Sequence, residues 1–185
     1  MIRYLTVALL CLLSSACTTL ATYDIDEAEL EARLHENVKR FDQQQAESGS
    51  PLSVSLEHID IDIGPDEREV VVLDAKGKAE LNAIIARIPV GLRLKVEGTP
   101  VYSGKEKAVY IRRLTLIDSS VDSPLIKAAE SRVLVQALMM TLSQRLEDTP
   151  VYRLDESDPR QKLLSTMPVD IVVGKGKLRV IPSRD

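Results

Sequence analysis

Two long β-strand patterns in the sequence change phase partway along, and this feature restricts the fold more than any other. In residues 52–63 the apolar positions are first even-numbered and then odd-numbered, with the change at Glu57 and His58. In residues 108–117 a second change falls at Arg112 and Arg113. Because strand side chains alternate between faces, an uncorrected slip would turn half of the apolar residues outward. We therefore predict a β-bulge at each position and a strongly curved antiparallel sheet.

A long helix is predicted in the C-terminal half, over residues 125–147. Ser123 and Pro124 supply a cap and a proline at the first helical position. On a helical wheel the apolar residues fall on two flanks, which are Ile126, Ala129, Val133, Ala137 and Met140 on one side and Ala128, Val135, Met139, Leu142 and Leu146 on the other. A helix that is apolar on two sides is expected to be buried on two sides.

The other elements complete an α+β fold, in which a strongly curved antiparallel β-sheet is wrapped around the long C-terminal-half helix. An additional N-terminal helix of about four turns is predicted from Asp26, which stands with Glu29 in capping-box spacing. Alternating apolar residues predict strands at 70–81, 90–96 and 151–154. A short helix at 159–166 and a hairpin that joins 169–173 to 178–181 follow.

The N-terminal residues have the order of a secretory signal. A short basic start precedes an apolar run at 4–13, which is shorter than the roughly 20 residues that span a bilayer. The segment that ends at Cys17 resembles a lipobox, whose cysteine is diacylated on sulfur and acylated on nitrogen after cleavage. We predict a signal peptide at 1–16, a lipidated N-terminus and short tether at 17–22, and a single domain at 23–185. The alternative is an ordinary signal with an incidental cysteine.

Lipidation would use the last available thiol, because Cys11 is removed with the signal. The domain is then expected to fold without a disulfide. By analogy with known lipoproteins, Thr18 after the acylated cysteine implies sorting to the outer membrane, with the domain facing the periplasm. The predicted partner is a membrane, reached through the lipid anchor.

Composition and motifs argue against several functional classes. The net charge is −4, with one Phe and no Trp, so nucleic acid is not an expected partner. His35 and His58 stand in polar contexts without further ligands at metal-binding spacing. Asp60 and Asp62 share a strand face with His58, but such acids are more often solvated than paired as catalysts. We predict no catalytic residues, no enzyme activity, no metal and no cofactor.

Four sequence motifs carry a family resemblance: YDIDEAELEARL (23–34), TPVYSGKEKAVYIRRLTLIDSSV (99–121), TPVYRLDESDPRQKL (149–163) and KLRVIPSRD (177–185). Through these motifs, and over most of its length, the chain resembles the YceB-like lipoproteins, a family whose function is not established. The family is similar in architecture to the tubular lipid-binding proteins. In that architecture a curved sheet wraps a long helix and leaves an apolar tunnel, so the resemblance implies such a tunnel here.

The main functional hypothesis is a lipid or another apolar small molecule bound between the sheet and the long helix. We expect Val133, Leu134, Ala137, Leu138 and Met140 to line the groove. Arg132 and Gln136 belong to a polar stripe that would meet a lipid head group. The alternatives are that the apolar residues are plain core and that the stripe meets solvent or strand backbone. The alternative function is a non-catalytic scaffold that binds a protein partner in the envelope.

The lipobox interpretation predicts the behaviour of the Cys17→Ser variant. Without acyl chains, each of which contributes about 0.8 kcal/mol per buried methylene, the domain should leave the membrane and appear in the soluble periplasmic fraction. Cell fractionation followed by immunoblotting measures this change. Retention of the variant in the membrane fraction would contradict lipidation at Cys17.

Overall fold

The computed structural model describes residues 22–47, 52–82 and 87–183. The predicted signal peptide, Cys17 and all but the last residue of the predicted tether lie outside these ranges. The strands are β1 (Tyr23–Asp26), β2 (Leu52–Ile63), β3 (Val71–Asn82), β4 (Arg87–Ser103), β5 (Ala108–Asp122), β6 (Tyr152–Arg153), β7 (Val169–Gly174) and β8 (Lys177–Pro182). The helices are α1 (Glu27–Glu47), α2 (Ala128–Asp148) and α3 (Pro159–Leu164), with a 3₁₀ turn at Pro65–Glu67.

The strands form two antiparallel sheets, which confirms the predicted α+β class. The larger sheet has the order β2-β3-β4-β5-β6 and curls into a half-barrel, and the smaller has the order β1-β8-β7. The hairpin between β7 and β8 was predicted, whereas β1 was not. Asp24 of β1 accepts hydrogen bonds from Arg179 and Lys177 of β8, and these cations lower the pKa of Asp24 to about 2.

The predicted bulges are present in β2 and β5. In β2 the pairing with β3 shifts between Leu56 and His58. In β5, Arg112 pairs with Thr99 and Thr115 pairs with Glu97, so β5 carries one residue more than β4 over this stretch. Arg113 in that stretch has a φ of 54°. Both phase changes in the sequence therefore correspond to irregular pairing.

A third bulge, which is the second one in β5, was not predicted. Leu116 pairs with Val96 and Asp118 pairs with Lys95, which leaves Ile117 as an extra residue. Each bulge inserts one residue and so exchanges the faces on which odd-numbered and even-numbered residues lie. One face of β5 therefore carries odd-numbered, then even-numbered, then again odd-numbered residues. The residues on this face are Val109, Ile111, Leu114, Leu116, Ser119 and Val121.

The hydrophobic core lies at one end of this face. Val109 and Ile111 of β5 pack there with Tyr152, Leu164 and residues of both sheets, among them Ile25, Ile61, Ile63, Leu178 and Val180. Nearly all of these side chains are fully buried. The first half of β5 therefore belongs to the core, and its second half extends beyond it.

Helix α1 covers the outer edge of β2. Its start is as predicted, because Asp26 Oδ1 accepts a hydrogen bond from the Glu29 amide at 2.8 Å, although the helix has 21 residues and is longer than expected. Glu27 and Glu31 accept hydrogen bonds from the amides of Ile63 and Ile61 at 2.9 and 3.0 Å. These carboxylates satisfy edge amides that would otherwise be free to pair with another strand.

A buried polar cluster lies between α1, β6 and α3. The Tyr152 hydroxyl lies 2.9 Å from Glu29 Oε1, 3.0 Å from Gln161 Oε1 and 3.3 Å from the Tyr23 hydroxyl. Gln161 Oε1 also accepts the Asp155 amide at 2.8 Å. Burial raises the pKa of Tyr152 above its ordinary value, and its neighbours raise it further. The cluster joins the N-terminal segment to the C-terminal third of the chain.

The long helix differs from the prediction at its start and in its burial. It begins at Ala128, because β5 continues to Asp122 and the following residues turn the chain back. Glu130 accepts the Lys127 amide at 2.9 Å and caps this end. Val135 is the residue of α2 that is buried, so the expectation of burial on both flanks was wrong. The half-barrel covers one flank of the helix and leaves the other exposed.

The tight packing beside the Arg112–Arg113 bulge predicts a large effect of Gly98→Ala. A Cβ at Gly98 would clash with Cγ2 of Ile111 and lie 3.1 Å from the Arg112 carbonyl oxygen. We expect the free energy of unfolding to fall by about 1–3 kcal/mol, as for overpacked cores. Urea denaturation measures it. The matched control is Gly91→Ala, whose nearest neighbours would lie at 3.4 Å. Equal stability of the two variants would contradict the close approach.

Candidate functional site

An open groove of about 460 Å³ lies between the second half of β5 and the first half of α2. The sheet wall consists of Leu116, Ser119 and Val121, and the helix wall consists of Ser131, Arg132, Val135, Gln136 and Met139. It lies beyond the core on the same face of β5. The face that builds the core at one end therefore builds a cavity at the other.

The third bulge determines which β5 side chains form the sheet wall. Leu116 and Ser119 are three residues apart and would lie on opposite faces of a regular strand. With Ile117 as the extra residue, Leu116 lies opposite Val96 and Ser119 lies opposite Leu94. Both then share the groove face with Val121. Without the bulge, Asp118 would take the place opposite Leu94 that Ser119 occupies.

Small residues of β3 continue this face away from the groove. Leu94 pairs with Ala75, and Leu92 pairs with Gly77, so small side chains follow large ones across the sheet. Glycine inside a strand often marks a place where a ligand or another chain approaches closely. Because Ala75 and Gly77 have small or no side chains, they add little bulk to this face of the sheet beside the groove.

The helix wall combines one apolar row with two polar side chains. Val135 and Met139 are four residues apart and lie on one face of α2 toward β5. Arg132 and Gln136 are also four residues apart, and both are exposed at the rim. An apolar molecule with a polar or anionic end would meet matching chemistry on this wall.

Two of the seven predicted site residues line the groove, and the other five do not. Arg132 and Gln136 line the groove. Val133, Ala137 and Met140 face away and are exposed, Val133 and Met140 by 67% and 68%. Leu134 and Leu138 are half-buried, and they are not among the lining residues. The predicted role in ligand binding is untested for all seven residues.

The sequence analysis did not assign the remaining lining residues to the groove. Val135 and Met139 belong to the second apolar flank of the helix, and the sequence does not indicate which flank faces the sheet. Ser119 was missed because its position on the groove face depends on a bulge next to polar residues. Leu116 was recognised only as part of the phase change. A search for small or polar residues on the inner face of β5 could have found Ser119.

The histidines and acids that the sequence analysis considered as metal ligands or catalysts lie at the surface. His35, His58, Asp60 and Asp62 are all exposed. In the described ranges, histidine, cysteine and acidic side chains form no group suited to a metal ion. No buried side-chain nitrogen or oxygen in those ranges lacks a hydrogen-bond partner. The helices there are also too short or too polar to cross a membrane.

Comparison with known proteins gives a family and a relative. Residues 25–177 match the family model described as "Protein of unknown function (DUF1439)". The chain is 24% identical over 168 residues to "Uncharacterized lipoprotein YceB" of Salmonella typhimurium (strain LT2). The alignment covers 90% of this chain and 89% of the relative. These matches confirm the resemblance to the YceB-like lipoproteins. They support a lipoprotein associated with a membrane of the cell envelope.

The orientation of α2 predicts different oxidation rates for two adjacent methionines. Met140 is 68% exposed, whereas Met139 lines the groove and is half-buried. Because exposure governs access of peroxide to the thioether, Met140 should form the sulfoxide faster than Met139. Peptide mass spectrometry after brief peroxide treatment measures both rates. In urea the two rates should become similar, and faster oxidation of Met139 in the folded protein would contradict the orientation.

Proposed function

This chain belongs to the DUF1439 family, and on that premise we propose that it binds a lipid or another hydrophobic molecule while anchored to a membrane. The ligand occupies the groove between β5 and α2. The observation that carries the proposal is the volume of this groove, about 460 Å³, together with its apolar walls. Sites for small molecules typically occupy ~300–1,000 Å³ and combine apolar walls with a few polar groups.

The groove residues suggest the chemistry of the ligand. Leu116, Val121, Val135 and Met139 would contact an apolar chain. Methionine adapts its shape readily, which suits chains of varying length or unsaturation. At the rim, the Arg132 guanidinium would donate to a carboxylate or phosphate, and Gln136 would add an amide donor. A fatty acid or an anionic lipid is therefore the preferred class of ligand.

The anchor in this proposal is Cys17, acylated after removal of residues 1–16. The relative named a lipoprotein supports the lipid attachment. Thr18 after the cysteine favours sorting to the outer membrane with the domain in the periplasm. The proposed activity is binding or carriage without catalysis and without a cofactor.

A second candidate function is a scaffold that binds another envelope protein. It is favoured by the exposed flank of α2, where Val133 and Met140 are 67% and 68% exposed, and by the exposed Leu125 just before the helix. Exposed apolar surface of this kind is common in protein interfaces. The two candidates use opposite sides of one helix, so substitutions can separate them.

A matched pair of tryptophan substitutions tests the preferred function. Val121→Trp places a large ring in the groove, and Val133→Trp places the same ring on the exposed flank. We expect Val121→Trp to weaken binding of a fluorescent fatty acid by at least about tenfold, or 1.4 kcal/mol, and Val133→Trp to leave it unchanged. Fluorescence titration of the domain without its anchor measures both, with thermal unfolding as the control for folding.

Native mass spectrometry of the gently purified domain provides a second measurement. Lipid adducts on the wild type that are lost in Val121→Trp would support binding in the groove. Apo protein alone, with no binding of the fluorescent fatty acid, would overturn the preferred function. Cross-linking in cells that traps one protein, and fails to do so in Val133→Asp, would favour the scaffold instead.

A further inference from the structure

A second, polar cleft lies between α1 and the segment around β6. Its volume is about 260 Å³. One wall carries Arg33, Glu36, Asn37 and Arg40 from successive turns of α1, and the other carries Tyr152 and Arg153. None of these side chains lines the groove between β5 and α2. The cleft is therefore a separate site.

Three arginines line this cleft, against a single glutamate. Arg33 also pairs with Glu29 beside the cleft at 3.4 Å, and its guanidinium lies 4.2 Å from the centre of the Tyr152 ring. Arg153 donates to the Glu106 carbonyl oxygen at 2.6 Å. These contacts hold two of the three cations in place before any ligand binds, which lowers the entropy lost on binding. The cleft is cationic in a chain whose net charge is −4.

From this geometry we propose that the cleft binds a phosphate group. Arginine forks match phosphate oxygens through pairs of charge-assisted hydrogen bonds, and three arginines line the cleft. Asn37 accepts a hydrogen bond from Arg40 through Oδ1, and its amide nitrogen can donate to the bound anion. Glu36 lies in the same cleft and opposes the anion, so it limits the affinity.

The position of the cleft brings two sources of phosphate into reach. The Tyr152 hydroxyl lies 3.3 Å from that of Tyr23, close to the first described residue. Five residues separate Cys17 from Tyr23, and an extended chain covers at most about 3.6 Å per residue. If Cys17 is anchored in a lipid surface, Tyr23 therefore lies within about 20 Å of that surface. The phosphate can come from a lipid head group or from solution. The lipid source alone depends on the proposed anchoring, whereas phosphate binding itself does not.

Titration of inorganic phosphate into the mature lipidated protein in a nonionic detergent tests the site. We expect Arg40→Gln and Arg153→Gln each to weaken binding by roughly tenfold in calorimetry, which is typical for loss of one charge-assisted contact. Glu36→Gln should strengthen binding severalfold, a gain that misfolding cannot produce. Arg68→Gln, which removes a guanidinium paired with Glu97 elsewhere, is the matched control and should bind as the wild type does.

A vesicle experiment distinguishes the two sources. The protein is placed in neutral galactolipid vesicles, which lack phosphate, or in the same vesicles with phosphatidylglycerol. Slower hydrogen exchange in residues 149–153 with phosphatidylglycerol, lost in Arg40→Gln, identifies a lipid head group as the source. Equal exchange in both vesicles, with phosphate binding retained, identifies free phosphate.

The proposal is overturned if the wild type binds no phosphate in detergent. It is also overturned if Glu36→Gln, Arg40→Gln and Arg153→Gln all bind like the wild type. Val121→Trp should leave phosphate binding unchanged, so failure of the groove proposal and failure of the cleft proposal give different results.

Discussion

The contact between α1 and the edge of β2 is the interaction on which the arrangement of the other elements depends. Glu27 and Glu31 accept hydrogen bonds from Ile63 and Ile61, which are alternate residues of the edge strand. Four residues of helix rise about 6 Å, and two residues of strand rise about 6.7 Å, so the two spacings nearly match. Because α1 continues directly from β1 of the smaller sheet, this contact also brings the two sheets together. The core forms where they meet.

The same arrangement explains why the molecule has a closed end and an open end. Both sheets, α1 and α3 contribute to the closed end, where Val109 and Ile111 are buried. The second half of β5 extends past these elements, where it pairs with β4 and lies beside α2. Two bulges keep one face of β5 turned inward over its whole length, so the apolar surface continues beyond the core. The groove is the part of that face that the core does not fill.

Much of this fold follows from local patterns in the sequence. The phase changes at Glu57-His58 and Arg112-Arg113 predicted two bulges correctly, because apolar residues flank both. The bulge at Ile117 is followed by Asp118, Ser119 and Ser120, so no apolar residue before Val121 indicates the change of phase. Strand β1 was missed for another reason. A segment of four residues is too short to show a clear alternation of apolar and polar residues. In addition, β1 is a strand because it pairs with β8, which lies near the other end of the chain.

The candidate site was less predictable than the fold, again for physical reasons. Helical periodicity identified two apolar flanks on α2, but the choice between them depends on how the helix rotates against β5. Val135 and Met139 face the sheet, whereas Val133 and Met140 do not. Arg132 and Gln136 lie at the boundary between the flanks and would reach the groove rim with modest rotation either way. The arginines of the second cleft come from distant parts of the chain, and only the fold brings them together.

The length of β5 separates the core from the groove by a distance comparable to the thickness of the hydrocarbon core of a membrane. Val109 pairs with Tyr152 at the end near Tyr23, and Ser119 lines the groove about ten residues further on. Because two of these residues are bulge insertions, the strand advances by about eight positions of roughly 3.3 Å, or about 26 Å, somewhat less than the ~30 Å hydrocarbon core of a bilayer. A domain tethered near Tyr23 with β5 upright would hold the groove out in the aqueous compartment, and one lying flat would bring it to the lipid. Under the proposed anchoring, the tilt of the domain would then decide whether the groove opens toward the membrane or toward the aqueous compartment.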